Sequence, residues 1–189
     1  MSENMHMKMT ISRLKPEDKE AAARIFEISI KEAFEQEGLG DLREDIQHEI
    51  EGKSKLVLSS LSGDNPDTLF MLAKLDGTAA GTISFGPCGE DIRVCTGGEL
   101  DGTGELGSLY VLPQFQGQGV GSALIKSMAA WLKRQGIQQF CLDSGYKRAQ
   151  QRWLRKFGAP YKTVQDYWGL GNDHMIWLCD VKDYIETAQ

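Results

Sequence analysis

The chain has 189 residues, with 21 Lys and Arg against 27 Asp and Glu, for a net charge of −6. That length fits one domain with a sizeable core. The acidic balance argues against non-specific nucleic-acid binding, which needs a basic surface to displace counterions. No apolar run approaches the roughly 20 residues of a membrane-spanning helix. The N-terminal MSENMHMKMT lacks the basic start and apolar stretch of a signal peptide, so a cytoplasmic protein with no membrane partner is expected. Cys88, Cys95, Cys141 and Cys179 form no C-x-x-C pair. Reduced structural thiols are therefore expected, with no disulfide framework and no metal site.

Residues 1–6 read as a flexible tail and residues 7–189 as a single domain. Residues 7–11 alternate loosely and predict a short strand. Pro16, Glu17 and Asp18 suit a helix start, where Pro is tolerated and acids meet the positive dipole end. Ala22, Ile25, Phe26, Ile30 and Phe34 continue that helix until Gly38-Leu39-Gly40 breaks it. A second helix is predicted over 42–61, with Gly52 making its continuity uncertain. Strands over 68–75 and 79–85 flank an Asp76-Gly77 hairpin turn. Residues 86–104, rich in Gly, Asp and Thr, predict a mobile loop with at most a short hairpin at 92–94. A strand over 105–111, a loop, and a helix over 119–135 ended by Gly136 come next. A strand over 139–142, a basic helix over 147–157, and strands near 162–167 and 174–181 complete a mixed α/β sheet.

The chemistry is concentrated in LGSLYVLPQFQGQGVGSAL, residues 106–124. A strand, a short loop and a helix are joined through Gln116, Gly117, Gln118, Gly119, Val120, Gly121 and Ser122. Alternating glycines bring backbone N–H groups together at a helix N-terminus, where donors are unpaired and the potential is positive. That is a phosphate site on physical grounds. The lysine of a P-loop is absent. A dinucleotide fingerprint is met by Gly117 and Gly119 and by Asp143 after the next strand. It fails at Ser122 and at the five-residue loop containing Pro113.

At these residues the chain resembles the GCN5-related N-acetyltransferase (GNAT) superfamily, whose Gln/Arg-x-x-Gly-x-Gly/Ala signature is matched by Gln116, Gly119 and Gly121. Leu109-Tyr110-Val111 and Pro113 match the family's strand ending. The resemblance implies a twisted, splayed mixed sheet flanked by helices, with acetyl-CoA as cosubstrate. Pantetheine would lie between strands 105–111 and 139–142, paired with the backbone of Leu109 and Val111. The pyrophosphate would meet the amides of residues 116–122. It also implies acetyl transfer to a primary amine of a small molecule or peptide in a ternary complex, and allows a homodimer. Glu105 matches the family's general base, with Glu99 and Asp101 as looser candidates, and Val111 N–H would hold the oxyanion. The tyrosine that protonates the leaving thiolate is replaced by Leu154, which cannot donate. Tyr161, with Tyr146 or water as alternatives, is the expected acid. That departure keeps a non-catalytic acyl-CoA sensing module as the rival reading.

The expected acceptor mouth collects Glu35, Glu37, Asp41, Asp166, Tyr167, Trp168, Asp173 and His174, acidic and aromatic groups that suit a cationic amine. His174 reads more simply as a strand-start residue. The basic residues Lys147, Arg148, Arg152, Arg155 and Lys156 read as a solvated face that also attracts phosphates.

Overall fold

The computed structural model describes residues 7–185. Strands β1 (Met9–Arg13), β2 (Leu69–Leu75), β3 (Thr78–Gly86), β4 (Glu105–Val111), β5 (Gln139–Ser144), β6 (Lys162–Val164) and β7 (His174–Asp180) form one sheet in the order β1-β2-β3-β4-β5-β7-β6. Helices α1 (Lys19–Gln36), α2 (Arg43–Ser62), α3 (Glu90–Thr96), α4 (Val120–Arg134) and α5 (Lys147–Phe157) cover it. Neighbouring strands are antiparallel except β4 and β5, which run parallel. The expected tail over residues 1–6 lies outside the described residues.

The two faces are built from different helical stripes. On one, α4 presents Val120, Leu124, Ile125, Met128, Ala129 and Leu132, a helical repeat that packs on Ile83, Phe140, Leu142 and Trp177. On the other, Ala22, Ile25, Phe26 and Ile30 of α1 pack on Phe70 and Leu72, and α2 closes over them with Ile46 and Val57. Helix α2 runs unbroken through Gly52, whose added Cβ would meet nothing within 4 Å. All four cysteines are buried, and none is in a disulfide.

The segment expected to be a mobile loop is instead partly helical. Helix α3 begins at Gly89, carries Glu90 and Asp91 in its first turn, and ends at Gly97. It buries Ile92 and Cys95 against Cys141 and Ile176. Its acidic first turn and C-terminal glycine are ordinary helix signals. Seven residues are too few for a periodic pattern to stand out between flanking glycines.

Strands β4 and β5 share a single register pair, Glu105 with Cys141, and Cys141 N–H donates to Gly104 O at 2.9 Å. Beyond that rung they separate, and β5 continues instead along β7 from Gln139–Asp180 to Ser144–Met175.

Candidate active site at the splayed strands

A bulge in β4 sets which way its side chains face. Thr82 pairs with Tyr110 and Ser84 with Gly107, so β4 holds one extra residue here, and Ser108 takes φ +47°. As a result Leu106, Leu109 and Val111 all join the α4 side, although their spacing breaks strict alternation. Tyr110 turns to the α1–α2 side, edge-on to Phe26. Its hydroxyl donates to Glu49 Oε1 at 3.3 Å. Leu112 N–H bonds Ala80 O at 2.9 Å. Peptide groups alternate along a strand, so Val111 N–H points to the opposite edge, where β5 has moved away.

The loop after β4 is braced by Gln116. Its Nε2 donates to Val111 O at 3.2 Å and to Glu32 Oε2 at 2.9 Å, tying the loop to the strand end and to α1. Its own N–H is taken by Pro113 O, so Gln116 does not offer the open amide that the sequence led us to expect. Gly117 and Gly119 adopt φ +73° and +81°, a left-handed turn that ordinary side chains resist. Gln118 Nε2 closes the turn onto Gln114 O at 2.8 Å. Within this segment the first main-chain N–H with a main-chain partner is that of Ala123, to Gly119 O at 2.9 Å. Among the described residues the amides of Gly117, Gln118, Gly119, Val120, Gly121 and Ser122 are left open at the positive end of α4.

Lys156 of α5 reaches the same place, with Nζ donating to Ser122 Oγ at 2.8 Å. Burial lowers its pKa, and among the described residues it has no carboxylate partner. A half-buried cation at the positive end of a helix is unfavourable by itself and becomes favourable beside an anion. A Cβ on Gly121 would touch only Val111 Cγ2, at 3.8 Å, and one on Gly117 or Gly119 nothing within 4 Å. The chain's own packing therefore does not require the space these glycines leave. Open amides, an unpaired lysine and this cradle together fit a diphosphate, and the gap between β4 and β5 fits an amide-bearing arm that completes the missing ladder.

Glu105 stands on the single rung of the splay, on the α3 side. Its Oε2 accepts from Gly89 N–H at 2.7 Å, and a Cβ on Gly89 would lie 2.7 Å from that oxygen. Burial first, then the Asp143 charge, raises its pKa from 4.5 to about 7, while Gly89 N–H and Lys53 pull it partly back. It is therefore a carboxylate able to exchange a proton at neutral pH.

The residues expected at the mouth divide. Glu37 caps α5 instead, accepting Arg148 N–H at 2.8 Å and Lys147 N–H at 3.3 Å. Asp166 and Asp173 hold the β6–β7 hairpin, accepting Gly171 N–H and Asp166 N–H. Glu35 and Asp41 are exposed. Tyr146, at the start of α5, packs on Phe34. Burial, with Glu49, Glu37 and Asp45 adding to it, holds its hydroxyl at about 12. Tyr161 is 46% exposed, and its hydroxyl donates to Glu99 Oε2 at 2.8 Å. It shares its cavity with Gln139, Phe157 and Asp180, at the end of β5 away from the splay. Leu154 packs in the α4-side core. The sequence reading missed Gln150, whose Nε2 donates to Ser144 O at 2.9 Å and Asp173 O at 2.8 Å, tying α5 to the ends of β5 and β7. It also missed the partners of His174, described below.

The model of the Acetyltransferase (GNAT) family matches residues 22–159. The chain belongs to the GNAT acetyltransferase family. It is 30% identical over 93 residues to aminoglycoside N(6')-acetyltransferase type 1 of Stenotrophomonas maltophilia, a match covering 49% of this chain and 59% of that protein. The chain thus spans less than two thirds of that curated relative. An acetyltransferase of the GNAT family from Desulfovibrio desulfuricans is similar in structure, with TM-score 0.66, 18% identity, and 92% of this chain and 99% of that one covered. PaiA N-acetyltransferase of Thermoplasma acidophilum, solved with coenzyme A, gives TM-score 0.65 at 20% identity, with the same coverage. These structures share the fold.

Proposed function

We propose that this chain is a cytoplasmic, acetyl-CoA-dependent N-acetyltransferase that moves an acetyl group onto a primary amine of a cationic small molecule or peptide, by direct attack in a ternary complex. The observation that carries the reading is Glu105, a half-buried carboxylate with its pKa raised to about 7, at the rung beyond which β4 and β5 part. At about 7 rather than 4.5 it is a roughly 300-fold stronger proton acceptor. The open amides of residues 117–122, with Lys156, would hold the pyrophosphate. The backbone of Leu109 and Val111 would pair the pantetheine arm, while Gln116 keeps the loop against the strand end.

Glu105 takes a proton from the incoming ammonium. The freed nitrogen attacks the thioester carbonyl carbon; as the carbon–sulfur bond breaks, the thiolate leaves with the bonding pair, and the nitrogen's second proton passes to it through water. Val111 N–H faces the carbonyl oxygen as charge develops there, an interaction worth about 2.7–4 kcal/mol in a dry site. Holding both reactants in line supplies much of the remaining acceleration. Tyr161 was the expected donor to the thiolate. With its hydroxyl on Glu99 and away from the splay, water is the better candidate.

A thiol-release assay with acetyl-CoA over polyamines, aminoglycosides, amino acids and peptide N-termini tests this reading. Turnover that depends on a cationic amine is expected. Tight acetyl-CoA binding with no turnover on any amine would favour the sensing module.

A further inference from the structure

His174 opens β7 and is 2% exposed. Both of its ring nitrogens are engaged. Trp168 Nε1–H donates to Nδ1 at 3.0 Å, and Nε2 lies 3.0 Å from Asp143 Oδ2. Indole N–H can only donate, so Nδ1 must carry a lone pair. The ring's one proton is then on Nε2, pointing at Asp143, and the imidazole is neutral. Protonating Nδ1 would set two N–H groups head to head. Asp143 therefore keeps its full negative charge while being held in place by a neutral donor.

That charge stands beside Glu105. Asp143 lies two residues beyond Cys141, the register partner of Glu105, and shares the α3-side face with Cys141 and His174. Its side chain is 24% exposed, and its Oδ1 accepts no hydrogen bond among the described residues. The indole is held on its other side by backbone: a Cβ on Gly145 would lie 2.5 Å from Trp168 Nε1 and 2.8 Å from Cδ1. Trp168 is also fixed by its N–H to Asn172 O at 3.0 Å.

We propose that Trp168 and His174 are positioning residues that hold Asp143 as a fixed anion beside the general base, and that Asp143 selects acceptors by their positive charge. This rests on the acetyltransferase reading above. Glu105 exchanges a proton, and Asp143 is held in place by His174. An acceptor with a second ammonium near the reacting amine, such as a polyamine or an aminoglycoside, satisfies both at once.

The ring is packed by the β6–β7 hairpin: the Tyr167 and Trp168 rings lie 5.2 Å and 5.8 Å from it, centroid to centroid, and the Tyr167 hydroxyl donates to Asp91 Oδ1 at 2.9 Å. The Trp168 N–H fixes the tautomer, so that Nε2–H faces Asp143.

The test uses the full chain, with spermidine and kanamycin as acceptors. Asp143→Asn should raise their KM roughly tenfold or more, leave the acetyl-CoA KM unchanged, and move the Glu105 inflection in the pH–rate profile to lower pH. Trp168→Phe, which removes the donor to Nδ1, should raise acceptor KM several-fold and leave the acetyl-CoA KM unchanged. Gly145→Ala, which displaces the indole, should do the same. Adding His174→Gln to Trp168→Phe should recover part of the acceptor KM, because the amide donates to Asp143. Long-range nitrogen NMR should find the Nε2–H tautomer in the wild-type chain and a mixture of tautomers in Trp168→Phe.

If the wild type acetylates these amines and Asp143→Asn leaves their KM and the inflection where they were, this inference fails and the acetyltransferase reading survives. A Trp168→Phe chain that keeps the wild-type acceptor KM and the single Nε2–H tautomer would reduce Trp168 and His174 to packing residues. Turnover of no amine by the wild type would overturn both readings.

Discussion

Gly121 offers a perturbation whose effects on stability and on binding should have opposite signs. It is the second residue of α4, with no left-handed backbone to demand glycine. An added Cβ would make one ordinary contact, 3.8 Å from Val111 Cγ2. Alanine in a helix is about 0.5–1 kcal/mol better than glycine. In a domain of this size that is worth roughly 1–4 °C in Tm. The same methyl fills the cradle beside the open amides of residues 117–122. Holding a diphosphate away from one or two of those donors forfeits roughly 1.5–3 kcal/mol for each charged hydrogen bond. That corresponds to a ten- to hundredfold or greater loss in affinity. Gly121→Ala should therefore melt higher and show an acetyl-CoA KM raised at least tenfold, with kcat largely kept. Gly52→Ala in α2, where the added Cβ meets nothing within 4 Å, should raise Tm similarly and leave KM alone. Calorimetric melting and acetyl-CoA titration of both variants are sufficient. A stabilised Gly121→Ala with unchanged KM would refute the placement of the phosphates.

Other outcomes follow from the same geometry. Lys156→Met should raise the acetyl-CoA KM several-fold with little change in kcat, because the cation at Ser122 has no carboxylate partner among the described residues. Tyr161→Phe should leave kcat unaltered, since its hydroxyl is spent on Glu99; a large fall in kcat would restore it as the acid. Gly89→Ala should displace the Glu105 carboxylate, lowering kcat with a smaller effect on acetyl-CoA binding. Glu105 also sets a pH dependence of stability. Its pKa is raised in the folded chain, so the folded form binds more protons between pH 4.5 and about 7, and stability falls as pH rises through that window. Glu105→Gln should therefore gain stability relative to the wild type above about pH 7, by up to roughly 3 kcal/mol before discounting its partial exposure. Denaturant melts at two pH values would check this.

Much of the site was legible where local signals are strong. Strand β4 and helix α5 fall where the sequence placed them, because a Leu-Tyr-Val run closed by Pro113 and a basic amphipathic stretch stopped by Gly158 are strong local signals. The glycine loop was legible because its spacing is itself the chemistry. What stayed hidden depends on partners far apart in the chain. Glu37 reaches Arg148, 111 residues away, and becomes a helix cap rather than a substrate contact. Lys156 reaches Ser122 from 34 residues away. His174 reads as a strand start until β5 brings Asp143 beside it. Helix α3 was missed for a local reason, its shortness, yet its N-cap Gly89 supplies the N–H that holds Glu105. The raised pKa of Glu105 follows from burial and from Asp143, neither of which is visible in the order of residues.

The most direct measurement is the pH dependence of thiol release from acetyl-CoA with a cationic amine acceptor, for the wild-type chain and for Glu105→Gln. The account predicts that wild-type kcat/KM rises about tenfold per pH unit on the acidic side and levels near pH 7. Glu105→Gln should lose most of the rate and the inflection together, while acetyl-CoA still binds. Full activity in Glu105→Gln, with the inflection intact, would contradict it.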